Sequence, residues 1–207
     1  MPVILICIIL FVLWLSYERK KVDKSAKKKS EEFWKREHES NLTRRKDLSN
    51  LDYITINYEN LPFFENVDSE IQYVQDQLIK LKDEKIVNLS GLSNTDLKLT
   101  YGSANINELS LYDQNYTLLV RNLNKWAQLL YAQNKIAETK QVLEYAISIG
   151  SDISQSFLTL ATIYLDEGNL ERLQYLKERS EQISSPLKIS LVEKLTAIYE
   201  KASHAQK

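Results

Sequence analysis

Few residues in this 207-residue chain are able to perform chemistry, and those few are scattered. Two histidines, His38 and His204, lie far apart, and Cys7 is the only thiol. No metal-ligand spacing, intrachain disulfide or cysteine zinc site can arise from them. His38 sits in a polar stretch and reads as solvent-exposed, and His204 belongs to a fraying tail. Cys7 lies in an apolar run, where an uncharged thiol packs as a small hydrophobe. Four glycines in the whole chain leave no glycine-rich phosphate loop. Serine with no histidine at hand makes no triad. Asn94-Thr95-Asp96 and Tyr112-Asp113 are the least ordinary polar clusters, and both read as helix caps. The expectation is a non-enzyme with no catalytic, cofactor-binding or metal-ligating residue, and no cofactor.

The elements that would position any site begin with an uneven distribution of charge. Val3 to Leu15 is an unbroken apolar run of 13, and residues 1–17 carry no charged side chain. Glu18 to Lys46 then holds 12 Lys/Arg against 6 Asp/Glu, and the remainder holds 15 against 22. A net of −1 is therefore the sum of a +6 stalk and a −7 body. Seventeen residues span roughly 25 Å as a helix, slightly short of a bilayer core of about 30 Å. Summed insertion energies of its Val, Ile, Leu and Phe residues reach roughly −5 kcal/mol with no charge to offset them. This predicts an uncleaved transmembrane helix; a cleaved signal peptide and a soluble buried helix are the rivals. Arg19, Lys20, Lys21, Lys24, Lys27, Lys28 and Lys29 all follow the run. The positive-inside rule then predicts a single-pass cell-membrane protein, N-terminus outside and acidic body in the cytoplasm. The same basic residues would lie at the membrane surface, where they could meet anionic lipid headgroups. An acidic body argues against nucleic acid. The abundance of Lys, Ile and Asn suits a low-GC bacterial source.

Beyond the stalk, Glu31–Lys35, Glu32–Arg36 and Lys35–Glu39 are i,i+4 pairs that favour a helix to about Lys46. Leu51 to Phe64 is rich in strand formers and contains Pro62, which predicts an extended strap laid over a helical body. Asp68 or Ser69 can cap a helix striped by Ile71, Val74, Leu78 and Leu81. Residues 88–96 read as a polar turn. Its small polar residues suit either capping or an anion site of backbone N–H groups. A short helix ending at Gly102 follows.

From Tyr116 onward the pattern repeats. Leu123, Trp126, Ala127 and Leu130 stripe one helix, Asn134-Lys135 interrupts it, and Val142, Leu143, Ala146 and Ile149 stripe the next. Phe157, Leu160, Ala161 and Tyr164, then Gly168-Asn169, then Leu170, Leu173, Leu176 and Ser180 follow at the same spacing. The pairs Ala127/Ala161, Asn134/Gly168 and Ala146/Ser180 are each separated by 34 residues. This period, with small residues where helices cross and a turn between them, resembles the tetratricopeptide repeat. It departs from that family's pattern at Thr139 and Leu173, where alanine is usual, and at Ser151, where a proline usually closes the repeat. A generic helical bundle is the alternative. The resemblance implies a concave groove lined by Asn124, Gln128, Tyr131, Gln155, Leu158, Thr162 and Leu165, which would hold a protein partner. It lacks the charged clamp used by family members that grip a terminal carboxylate, because Asn124, Gln128, Gln155 and Thr159 occupy those positions.

The fold expected is all-α. It comprises a transmembrane anchor (1–17), a basic helical stalk (18–46), a strap with a helical packing segment (47–115), and two divergent tetratricopeptide-like repeats with a capping helix (116–203). The function expected is a single-pass membrane-anchored cytoplasmic scaffold that binds a protein partner through its repeats. The alternatives are a structural subunit of a membrane complex with permanently packed repeats, or a membrane-associated enzyme.

Overall fold

A computed structural model describes residues 2–205; Met1, Gln206 and Lys207 lie outside them, as do the side chains of Pro2, Val3, Leu5 and Ala205. Eight α-helices and two short 3-10 turns occur among the described residues, and helices account for 72% of the chain. The only β pairing among the described residues is an isolated antiparallel bridge between Tyr53 and Val87. The chain divides into two compact units, residues 1–48 with 93–106, and residues 49–92 with 107–207.

The first unit is built on α1 (Pro2–Leu42) and α3 (Asn94–Tyr101). α1 is a single 41-residue helix that passes from the apolar run into the basic stretch without a break. Among the described residues no helix is long and apolar enough to cross a membrane. This corrects the expected transmembrane anchor, the single-pass topology and the cytoplasmic placement drawn from it. The physical reason lies in the length of the run. Its 13 continuous apolar residues rise only about 20 Å at about 1.5 Å each, and runs of that length fall below the span of a bilayer. The summed insertion energy overstated the case because it counted composition without requiring length. The seven basic side chains are exposed on α1, and Lys21, Lys27 and Lys28 pair with Glu18, Glu31 and Glu32. Their expected part in setting topology falls with the span. Phe33, Trp34 and His38 are exposed as well.

α3 opens on a capping box in which Ser93 and Asp96 satisfy each other's backbone N–H. Of the Asn94-Thr95-Asp96 cluster read as a cap only Asp96 takes part, since the cap residue is Ser93 and Asn94 and Thr95 already belong to the helix; Asp96 also pairs with Arg36 of α1. Glu37 accepts hydrogen bonds from Lys98 Nζ and Thr95 Oγ1, each at 2.6 Å. These bonds hold the Glu37 carboxyl below its ordinary value of 4.5, the Lys98 bond contributing most. A carboxylate depressed in the folded state stabilises at pH above its unfolded pKa, and that contribution is lost as pH falls through the folded value. Acidification below about 4.5 is therefore expected to loosen α3 from α1. Amide exchange in residues 94–101 checks this, and Glu37→Gln should reduce that pH dependence, leaving the part carried by Asp96, whose carboxyl is also held low by Ser93 and Arg36.

The second unit contains α2 (Ser69–Ile79), α4 (Ile106–Ala132, all but its first residue), α5 (Ile136–Ser148), α6 (Ser154–Asp166), α7 (Leu170–Ser180) and α8 (Lys188–Ala205). Asp68 caps α2 by accepting from the amides of Glu70 and Ile71. One core joins α2, α4, α5, α6, α7 and α8, with Ile71, Leu78, Leu123, Leu143, Leu176 and Leu195 among its members. The strap runs from the bridge residue Tyr53 through Ile54 to Ile56 without helix, before a 3-10 turn at Tyr58–Asn60. Ile56 and Leu61 enter the core, and the Phe63 ring packs 4.9 Å from that of Trp126. Gln75 binds the backbone of Phe64 through both its amide atoms, at 2.9 Å each. Burial pushes the Tyr58 hydroxyl up to about 12, so it remains a donor to the Leu78 carbonyl at 2.9 Å.

The 34-residue period is physical. Asn134 and Gly168 both adopt left-handed backbone conformations, with φ of 59° and 67°. Four backbone hydrogen bonds recur in register across the two hairpins. Gln133→Leu129 matches Glu167→Ile163, Asn134→Tyr131 matches Gly168→Leu165, Lys135→Leu130 matches Asn169→Tyr164, and Thr139→Lys135 matches Leu173→Asn169. Ala127, Ala161, Ala146 and Ser180 are all buried, as crossing points of close-packed helices must be. Thr139 fills the alanine position by turning its hydroxyl onto the Lys135 carbonyl at 2.7 Å, which satisfies a fully buried polar group.

Candidate functional site

Besides a cavity of about 330 Å³ between α2 and α4, two regions of the second unit carry concavities among the described residues. The first is the face expected to form a groove. Asn124 is half-buried and its carbonyl oxygen accepts from Ser156 Oγ at 3.0 Å, which ties α4 to α6. Gln128, Gln155 and Thr162 are exposed, Tyr131 is 39% exposed, and Leu158 and Leu165 pack partly against the core. Gln155 donates to Thr159 at 3.0 Å and Thr162 to the Leu158 carbonyl at 3.0 Å, so much of the polar capacity is spent locally. Two cavities border this face. Asn124 lines a cavity of about 560 Å³ with Thr117, Arg121, Asp152 and Ile153, and Tyr131 lines one of about 430 Å³ with Ile136, Asp166 and Glu167. Gln128, Gln155, Leu158, Thr162 and Leu165 line neither.

The second region is a cavity of about 610 Å³ that no sequence motif marked. Its walls come from the strap (Asp52, Ile54, Thr55), the turn at Asn88 and Ser90, the α5–α6 connection (Ile147 to Asp152), Phe157, and the end of α7 with the segment after it (Arg179, Gln182 to Ser184). Five separate stretches contribute, so linear spacing could not reveal it. Asn88 donates to the Tyr116 hydroxyl at 3.0 Å, and burial with nearby Asp152 and Asp113 raises the Tyr116 pKa. Arg179 is half-buried, donating to Gln182 Oε1 at 2.7 Å and to the Ile147 carbonyl at 3.3 Å, while its Nε is buried with no partner.

Other expected features fall elsewhere. Tyr112 and Asp113 are not caps, because α4 begins at Ile106 and both lie within it. Tyr112 is buried and donates to Glu108, and Asp113 accepts from the Leu89 amide at 3.3 Å. Among the described residues no group of three or more His, Cys, Asp or Glu could hold a metal ion. His204 is exposed in α8 and Cys7 is exposed in α1. No family model, curated protein or solved structure matches this chain.

Proposed function

We propose that this protein is a non-enzymatic adaptor whose tandem helical hairpins bind a protein partner. The observation that supports the reading most is the in-register recurrence of the turn at Asn134 and Gly168, which gives α4–α5 and α6–α7 the same local geometry. Stacked hairpins of equal geometry build a continuous face by repetition, and such faces serve extended protein surfaces. The walls of that face are amide, hydroxyl and aliphatic: Asn124, Gln128, Gln155, Thr162, Leu158 and Leu165. What the local bonds leave, Gln128 above all, suits hydrogen bonding to a main chain with small apolar anchors, not capture of a single charge.

A photo-crosslinking residue at Gln128 or Gln155 is expected to capture a partner in cells, and Tyr131→Ala with Leu158→Ala to reduce that capture by at least about tenfold, the scale of a central interface residue. Circular dichroism should show the helical content of the variants unchanged. Unaltered capture in a folded double variant would overturn the reading.

A further inference from the structure

The cavity beside Arg179 carries a pattern of charge that selects a ligand class. Arg179 supplies the only cation of its lining, and Asp52 and Asp152 supply two carboxylates. Arginine has five N–H donors; Arg179 spends one N–H of Nη1 on Gln182 and one of Nη2 on the Ile147 carbonyl, and with Nε buried one donor on each Nη is left. Among the described residues neither Asp52 nor Asp152 pairs with a cation. A simple anion would meet Arg179 but also two like charges. A simple cation would meet the carboxylates but leave the remaining guanidinium donors unused. A molecule with both charges satisfies both sets. Its body would rest on Ile54, Ile149, Phe157 and Ile183, and Ser151 and Ser184 offer hydroxyls beside it. A volume of about 610 Å³ falls in the range of small-ligand sites, roughly 300–1,000 Å³.

We propose that this cavity binds a small aliphatic zwitterion, its carboxylate on Arg179 and its ammonium toward Asp152 and Asp52. A free amino acid and a short peptide share this chemistry, and the two differ in the distance between their charges. No residue assigned to the partner face lines this cavity, although Ser90 and Asp152 also line the one beside Asn124; the Tyr131 and Leu158 variants touch only the first assignment and Ser184→Phe only the second.

The test is titration calorimetry of the full chain with four probes: L-leucine, the dipeptide Leu-Leu, 4-methylpentanoate as the anion alone, and isoamylamine as the cation alone. Leucine or the dipeptide is expected to bind at up to millimolar concentration, and whichever binds more tightly identifies the source. Each singly charged probe should bind at least about tenfold more weakly, the scale of one lost charge-assisted bond. Arg179→Gln should weaken the zwitterion by about tenfold or more. Ser184→Phe, at an exposed rim position, should block binding while circular dichroism shows an intact fold, and it decides the matter if Arg179→Gln does not fold. The proposal is overturned if neither zwitterion binds, if 4-methylpentanoate or isoamylamine binds as well as they do, or if a folded Arg179→Gln or Ser184→Phe titrates like the parent protein.

Discussion

Trp126→Ala is expected to destabilise the second unit by about 3–5 kcal/mol, the range for emptying a large aromatic site in a close-packed core. Trp126 is fully buried in α4 and stands where the strap, α2 and the first hairpin share one core. Its ring is covered by Phe63, which in turn packs 5.8 Å from Tyr58, so removal frees the strap as well as leaving a void. Its indole Nε1 is buried without a hydrogen-bond partner. Trp126→Phe should therefore cost markedly less than the alanine change, because it forfeits volume but no bond. Denaturant unfolding followed by circular dichroism measures both, and equal losses would show that the indole has an essential polar contact. A loss confined to the strap would appear as faster amide exchange at Ile54, which donates to the Ile86 carbonyl at 2.9 Å.

The second large effect is Gly102→Ala in the first unit. Gly102 ends α3 with φ of 95°, and a Cβ built there would lie 2.3 Å from the Arg44 carbonyl oxygen and 2.7 Å from the Arg45 Cα. The backbone conformation alone costs about 1–3 kcal/mol for a residue with a side chain, and the collision is with main chain that cannot rotate away. The segment after α1 must therefore shift. Hydrogen bonds from Ser103 N to Thr43 O (3.2 Å) and from Lys46 N to Tyr101 O (2.9 Å) should be lost with it. Amide exchange at Lys46 and Ser103 is expected to accelerate by at least about a hundredfold, corresponding to about 3 kcal/mol. Gly91→Ala supplies the control. It has a similar φ of 87°, but its Cβ would meet only the Ser184 side chain at 3.3 Å. Gly91→Ala, which shares the positive φ but meets no main chain, is expected to cost clearly less than Gly102→Ala.

What the sequence made legible was local. Asp68 caps the helix its position implied and Gly102 ends the short helix, whose cap falls on Ser93 within the polar turn and not on Asn94 or Thr95. The repeat was visible because it is periodic, and the turns at Asn134 and Gly168 fall where the period placed them. The beginning of α4 was not visible. Leu109, Tyr112 and Tyr116 extend its buried stripe back to Ile106, but Gly102 and the polar residues around it drew the boundary ten residues too late. Tyr53 and Val87 pair across distant sequence, which composition cannot announce. The cavity beside Arg179 was hidden for the same reason, its walls coming from five separate stretches. The membrane span failed differently: apolar content was judged by its sum, and the structure judged it by continuous length.

The division into residues 1–48 with 93–106 and 49–92 with 107–207 has a consequence for biogenesis. Each unit is interrupted by a piece of the other, so neither can be expressed as one continuous fragment. During synthesis α1 leaves the ribosome well before α3 exists, and it must wait for the intervening 44 residues (49 to 92). Loop closure over that distance adds a cost that grows only slowly with length, of order (3/2)RT ln n. What the arrangement imposes is an order of events. A chain stalled anywhere before residue 93 exposes Glu37 and Arg36 with no Lys98 or Asp96 to meet them. Quality-control factors that scan nascent chains would therefore encounter a long unpaired helix first, and the finished first unit only after the second has begun to emerge.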